Sequence, residues 1–155
     1  MLRTTWLYVL PTLTIFAAGH AAAQTPPADI VKKIYDQVTV FCNGADVAPP
    51  YTDKFMREVF DKPVADRYLT RLHKSQVDFD IFIDGQDCKL SNLVIEPLDG
   101  KAGTAVVRAQ FKNFDAVRMV DFEFQQSGAV WVIADMRYRH RPFTLRSYLK
   151  LKPRA

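Results

Sequence analysis

TAVVRAQFKNFDAVRMVDFEFQQSGAVWVIADMRY, residues 104–138, is the stretch on which the fold turns. It divides into three segments that alternate with a period of two, the pattern of β-strands whose faces see different surroundings. Residues 104–112 set Ala105, Val107, Ala109 and Phe111 against Val106, Arg108, Gln110 and Lys112. Residues 117–125 set Arg118, Val120, Phe122 and Phe124 against Val117, Met119, Asp121 and Glu123. Residues 129–138 set Trp131, Ile133, Asp135 and Arg137 against Val130, Val132, Ala134, Met136 and Tyr138. Residues 113–116 and 126–128 have the composition of turns, so three consecutive antiparallel strands are predicted. Both faces of the last two strands carry apolar residues. That predicts helices packed on one face and a partly enclosed space on the other.

Upstream, the period changes. Ile30, Val31, Ile34, Tyr35, Val38, Phe41 and Cys42 recur at three- and four-residue steps, one broad helical face. Thr25-Pro26-Pro27 supplies a start and Asn43-Gly44 a stop. Pro49-Pro50 makes residues 47–51 a stiff connector. Residues 52–60 predict a second helix that buries Phe55, Met56 and Val59. Asp61 caps a third, with Pro63 in its first turn and Ala65, Leu69 and Leu72 as its apolar stripe. Residues 77–84 alternate again, with Val77, Phe79, Ile81 and Ile83 opposite Asp78, Asp80, Phe82 and Asp84, and predict a strand. Residues 90–96 predict another, closed by Pro97. Downstream, Pro142 stops the last strand and residues 144–151 predict a short helix. Helices first and hairpin-linked strands afterwards define an α+β fold. The economical form is three N-terminal helices packed on a curved antiparallel sheet, a cone-shaped roll with an apolar interior and one open end.

Residues 1–23 do not belong to that fold. Arg3, an apolar run over residues 6–18 and Ala21-Ala22-Ala23 have the order of a signal peptide. The run falls short of the roughly 20 apolar residues that a bilayer-spanning helix requires. Cleavage near Ala23 predicts a soluble periplasmic or secreted protein, with the roll over residues 24–142 and a basic tail over residues 143–155. Charge is uneven. Residues 24–136 hold 13 Lys and Arg against 17 Asp and Glu, whereas residues 137–155 hold seven basic residues and no acid. The basic balance therefore belongs to the C-terminal end. Cys42 and Cys88 are the only cysteines. In an exported chain they predict one disulfide, the alternative being two buried thiols.

Val77-Asp-Phe-Asp80, Gly85-Gln-Asp87, Trp131–Asp135 and Leu145-Arg-Ser-Tyr-Leu149 are similar to an uncharacterised family of small exported bacterial proteins. The order of helices and sheet resembles the nuclear transport factor 2-like superfamily, to which that family belongs. The resemblance implies the cone-shaped α+β roll. It implies no single activity, because the superfamily mixes isomerases, dehydratases and non-catalytic binding modules. A homodimer through the open rim of the sheet is a further implication.

Few residues carry chemistry. A lone carboxylate among apolar walls would be a general base, and Asp121 and Asp135 are the candidates. An isomerase of this fold would pair such a base with an oxyanion donor, Tyr35 or Tyr68. Trp131 completes the candidate ligand-binding set. Asp78, Asp80, Asp84 and Asp87 form an acidic cluster whose spacing fails that of a calcium loop. A solvated strand face with turn-capping aspartates is the expected reading. His73 and His140 lack partners at zinc-ligand spacing, and no phosphate loop or nucleophile elbow is present, so no metal or cofactor is expected. Arg137, Arg139, Arg141, Arg146 and Lys150 are candidates for an anionic partner. For an exported chain that means an envelope surface or an acidic protein rather than nucleic acid. The alternative is that they pair with the domain's own acids. Together these features predict an exported non-catalytic module, accessory or immunity-like, that binds a small ligand or a partner protein in its cone. An acid–base enzyme acting on an apolar molecule and a surface-associated protein held by the tail are the alternatives.

Overall fold

The computed structural model describes residues 24–44 and 51–153. The expected leader over residues 1–23, the Pro49-Pro50 connector and Arg154 lie outside the described residues. Helix α1 (Pro27–Cys42) starts on proline, whose missing N–H costs nothing at that position. Val31, Ile34, Tyr35 and Val38 form its buried face. It ends at Asn43, followed by Gly44 at φ 84, a conformation suited to glycine. Helix α2 (Asp53–Val59) is capped by Thr52, whose hydroxyl accepts from Phe55 N at 3.2 Å. Helix α3 (Lys62–Leu72) is capped by Asp61, whose Oδ1 accepts from Val64 N at 2.9 Å.

The strands β1 (Leu90–Leu98), β2 (Thr104–Asn113), β3 (Ala116–Ser127) and β4 (Val130–Tyr138) form one antiparallel sheet in the order β1-β2-β3-β4. The chain is thus α+β. Strand β1 runs through Pro97, which an edge strand tolerates because one row of its N–H groups has no ladder partner. Val107, Ala109 and Phe111 of β2, Val120, Phe122 and Phe124 of β3, and Ile133, Met136 and Tyr138 of β4 share one core with the buried faces of α1, α2 and α3. Tyr35 lies at its centre, 5.4 Å from the Phe111 ring and 6.0 Å from that of Phe122. Each fully buried aromatic contributes on the order of 2–3 kcal/mol. Helix α4 (Leu145–Tyr148) carries a capping box between Thr144 and Ser147. Leu145 and Leu149 enter the same core, so this part of the basic segment is packed onto the domain. The predicted disulfide is present: Cys42 ends α1, Cys88 precedes β1, and 46 positions separate them.

Two expectations are corrected. First, β4 does not alternate strictly. A bulge lies where Glu123 pairs with Asp135 and Phe124 with Ile133. One extra residue, Ala134, shifts the inward positions from odd to even. Ile133 therefore faces the core with Met136 and Tyr138, while Asp135 moves to the opposite face. The two apolar faces read from the sequence are one face interrupted by this bulge. Second, residues 77–84 are not a strand. Asp80 Oδ1 accepts from Phe82 N at 2.8 Å and Ile83 N at 3.4 Å, which curls the chain into a turn closed by Asp80 N to Gly85 O at 2.7 Å. Ile81, Phe82 and Ile83 are consecutive and all buried. The period of two was accidental.

Candidate functional site

A half-buried carboxylate, Asp80, borders the interior. Its Oδ2 accepts from the Tyr51 hydroxyl, and its Oδ1 serves the two backbone N–H groups of the turn. Burial raises its pKa against the lowering pull of those hydrogen bonds. Burial, reinforced by the Asp80 charge, pushes the phenols of Tyr35, Tyr51 and Tyr68 upward. Tyr138 is shifted likewise by burial, then by Asp84. Tyr35 donates to Phe82 O at 2.8 Å. Phe82 stacks between Tyr51, at 5.4 Å, and Phe122, at 6.4 Å. Both oxygens of Asp80 are thus engaged inside the chain, and packed rings stand where a substrate would have to lie. The acidic cluster is divided: Asp78 and Asp87 are exposed and Asp80 caps a turn, as expected, whereas Asp84 is 2% exposed and pairs with Arg141. The Arg141 guanidinium also lies 4.5 Å above the Phe79 ring. Among the described residues no three His, Cys, Asp or Glu side chains converge as metal ligands.

The other candidate carboxylates lie on the sheet face away from the core. Asp121, 6% exposed at its side chain, takes a bidentate pair from Arg108 at 2.7 and 3.0 Å and a third contact from Arg139 at 3.0 Å. Asp135 Oδ1 accepts from Met136 N at 2.8 Å and Arg146 N at 2.9 Å. Both are structural acceptors outside the apolar interior, so neither sits among the apolar walls that a general base in a cone would require. The C-terminal arginines pair with acids of the same chain. Arg137 pairs with Glu123 at 3.1 Å, Arg139 with Asp121, Arg141 with Asp84, and Arg146 with Asp61 at 3.1 Å. Lys150 is exposed and follows α4 at φ 57.

Trp131 stands apart from Tyr35, Tyr68, Asp121 and Asp135. It opens onto a cleft of about 250 Å³ between the start of α1, the end of α2 and the β3–β4 turn. Ile30, Phe55, Val59 and Val130 form the apolar part, and Asp29, Lys33 and Glu58 the charged part. Val130 is 55% exposed. Of the residues bordering this cleft, the sequence singled out Trp131 as a candidate and none of the helical ones. Ile30 and Phe55 each read as part of a buried stripe, and in the structure both are half-buried at the cleft.

No protein-family model matches the chain, and no curated protein is detectably similar to it. Among solved structures, a chain of the type VI native effector–immunity complex Tae3–Tai3 from Ralstonia pickettii shows a likeness. It is 15% identical, covers 76% of this chain and 97% of that one, and has a TM-score of 0.48. At that level the likeness carries no argument about activity.

Proposed function

We propose that the chain is an exported, non-catalytic binding module whose Trp131 cleft takes an apolar side chain of a partner protein. The observation that carries this reading is the cleft's size and make-up. About 250 Å³ is below the roughly 300–1,000 Å³ of pockets that enclose drug-sized ligands. An aromatic floor with charges at its margin is the anatomy of a protein interface, where a few anchors supply most of the affinity. Engagement of Asp80, Asp121 and Asp135 within the chain supports a non-catalytic role. The disulfide supports an oxidising compartment. The run of helices followed by a meander supports membership of the nuclear transport factor 2-like superfamily and its cone-shaped roll.

Val130→Glu tests the reading, because Val130 is exposed and its replacement leaves the core intact. A photo-crosslinker at Val130 should capture a protein in the cells that make the chain, and added wild-type chain should compete while Val130→Glu chain does not. Native mass spectrometry is the counter-test. A small molecule retained by wild type and lost from Val130→Glu would replace the protein partner with a small ligand.

A further inference from the structure

The Trp131 cleft has a polar margin that the packing of the chain does not use. Gln24 borders the cleft, and its Nε2 is buried without a hydrogen-bond partner among the described residues. A buried amide donor left unpaired is costly, so it marks a place where an acceptor from outside the chain is favoured.

Two acids reach the same margin from different helices. Asp29 stands exposed in the first turn of α1, and no ion pair holds it among the described residues. Glu58 stands in the last turn of α2, 60% exposed at its side chain and 3.9 Å from Lys54. Arg57, the basic residue of that turn, is taken by Asp66 of α3 instead. The last turn of a helix presents carbonyl groups and favours a cation, so Glu58 stands against the local field and adds to the demand for one. Lys33 is the one base among the residues bordering the cleft. Acids thus outnumber bases beside the half-buried Trp131 ring.

On the reading that this cleft takes an apolar side chain of a partner protein, we propose that the partner's apolar anchor is flanked by an arginine, whose guanidinium lies against the Trp131 ring and donates to Asp29 and Glu58. Gln24 Nε2 donates to a main-chain carbonyl of the same segment. A guanidinium lies flat on an indole face and still presents its edge donors to carboxylates, whereas an ammonium is a point charge without that plane. An acidic neighbour of the anchor would meet two like charges. A wholly apolar segment would desolvate both carboxylates and offer them no donor. Every residue of a partner segment carries a main-chain carbonyl, so the chain that brings the anchor also brings an acceptor for Gln24.

The probes are blocked dipeptides, N-acetyl-leucyl-arginine amide and its citrulline, lysine and glutamate counterparts. The readout is the indole N–H signal of Trp131 in isotope-labelled chain. Trp6 and Trp131 are the two tryptophans, and Trp131→Phe assigns the signal. The arginine peptide should move it saturably. The citrulline peptide, which has the same shape without the charge, should need about fivefold more. The lysine peptide should fall between them, and the glutamate peptide should bind weakest. Asp29→Asn with Glu58→Gln, both exposed, should erase the difference between arginine and citrulline and keep the leucine-dependent shift. Gln24→Met should weaken both peptides by the same factor, about threefold, because its amide answers the main chain. The inference is overturned if arginine and citrulline bind alike, if glutamate or lysine binds as tightly as arginine, if the arginine preference survives the double variant, or if no peptide moves the signal. A protein adduct at Val130 without an arginine preference overturns this inference alone. Absence of any adduct there overturns the cleft reading and this inference with it.

Discussion

Replacing Arg146 by methionine asks whether the C-terminal arginines serve the fold or an outside partner. The Arg146 side chain is 12% exposed and its partner Asp61 is 8% exposed. Nη1 reaches Asp61 Oδ2 at 3.1 Å and Ala134 O at 3.3 Å, and Nε reaches Lys152 O at 3.2 Å. Methionine keeps an aliphatic stem and removes these donors. Asp61 would remain a nearly buried carboxylate whose described hydrogen-bond donor is Val64 N at 2.9 Å. Removing one member of a buried pair costs about 3–5 kcal/mol, against about 0–1 kcal/mol for an exposed pair. The residual exposure favours the lower end, about 3 kcal/mol. Asp61→Asn keeps a capping acceptor and should cost about 2 kcal/mol. The double variant leaves neither charge unpaired, so its loss should fall short of the sum by about 1–3 kcal/mol. Urea unfolding at pH 7 with the disulfide intact measures all three, and Arg146→Met should move the midpoint down by about 1–2 M at an unchanged slope. A loss under about 1 kcal/mol for Arg146→Met, or additive single effects, would refute the reasoning. The guanidinium would then be free for an anionic partner.

Reduction of Cys42–Cys88, or Cys42→Ser with Cys88→Ser, should cost about 4 kcal/mol for the 46-position loop, and a urea midpoint unchanged by reductant would contradict this. Asp80→Asn should become relatively more favourable as pH rises. The folded pKa of Asp80 is raised, so its contribution is fully present below its ordinary value and is lost as pH climbs through the higher folded value. Unfolding at pH 4 and pH 7 reads the sign, and a difference moving toward wild type at pH 7 would contradict burial as the cause. Asp121→Asn should lose about 2–4 kcal/mol, since two guanidiniums lose a nearly buried partner. Calorimetry in low and high salt should give a similar loss, because the carboxylate is only 6% exposed; a loss erased by salt would mark a surface pair.

Elements whose identity follows from local chemistry were legible in the sequence. Asp61, read as a cap, caps α3, whereas α1 starts after Pro26 with no side-chain cap from Thr25. The strands β2 and β3 keep their alternation because β-bulges are absent from their pairing. The failures share a cause. At β4 one inserted residue exchanged inside for outside, and no composition signals Ala134 as that residue. At residues 77–84 a periodic pattern competed with the side chain of Asp80, and the local hydrogen bonds won. Trp131 entered the candidate set by sharing a strand face with Ile133 and Asp135, and the structure sets it in a cleft with other neighbours. Ile30 and Phe55 did not, since partial exposure depends on tertiary packing.

The same two departures redistribute function. Without the bulge, Asp135 would point inward beside Trp131, and the interior would hold a carboxylate in the manner of an acid–base enzyme. With it, Asp135 lies outside and ties Arg146 N to the sheet, while Ile133 closes the core. Without the Asp80 turn, Phe82 would lie on the strand face opposite Ile81 and Ile83. With it, Phe82 lies between Tyr51 and Phe122, and the carboxylate that reaches the interior is consumed in building the turn that places it there. Among the described residues, Asp80, Asp84, Asp121 and Asp135 are each engaged by the backbone, a phenol or an arginine. Among the described residues the large exposed apolar side chains are Val40, Val94, Phe114, Val117 and Val130, and of these Val130 borders the Trp131 cleft. That cleft is where the partner contact proposed above would form.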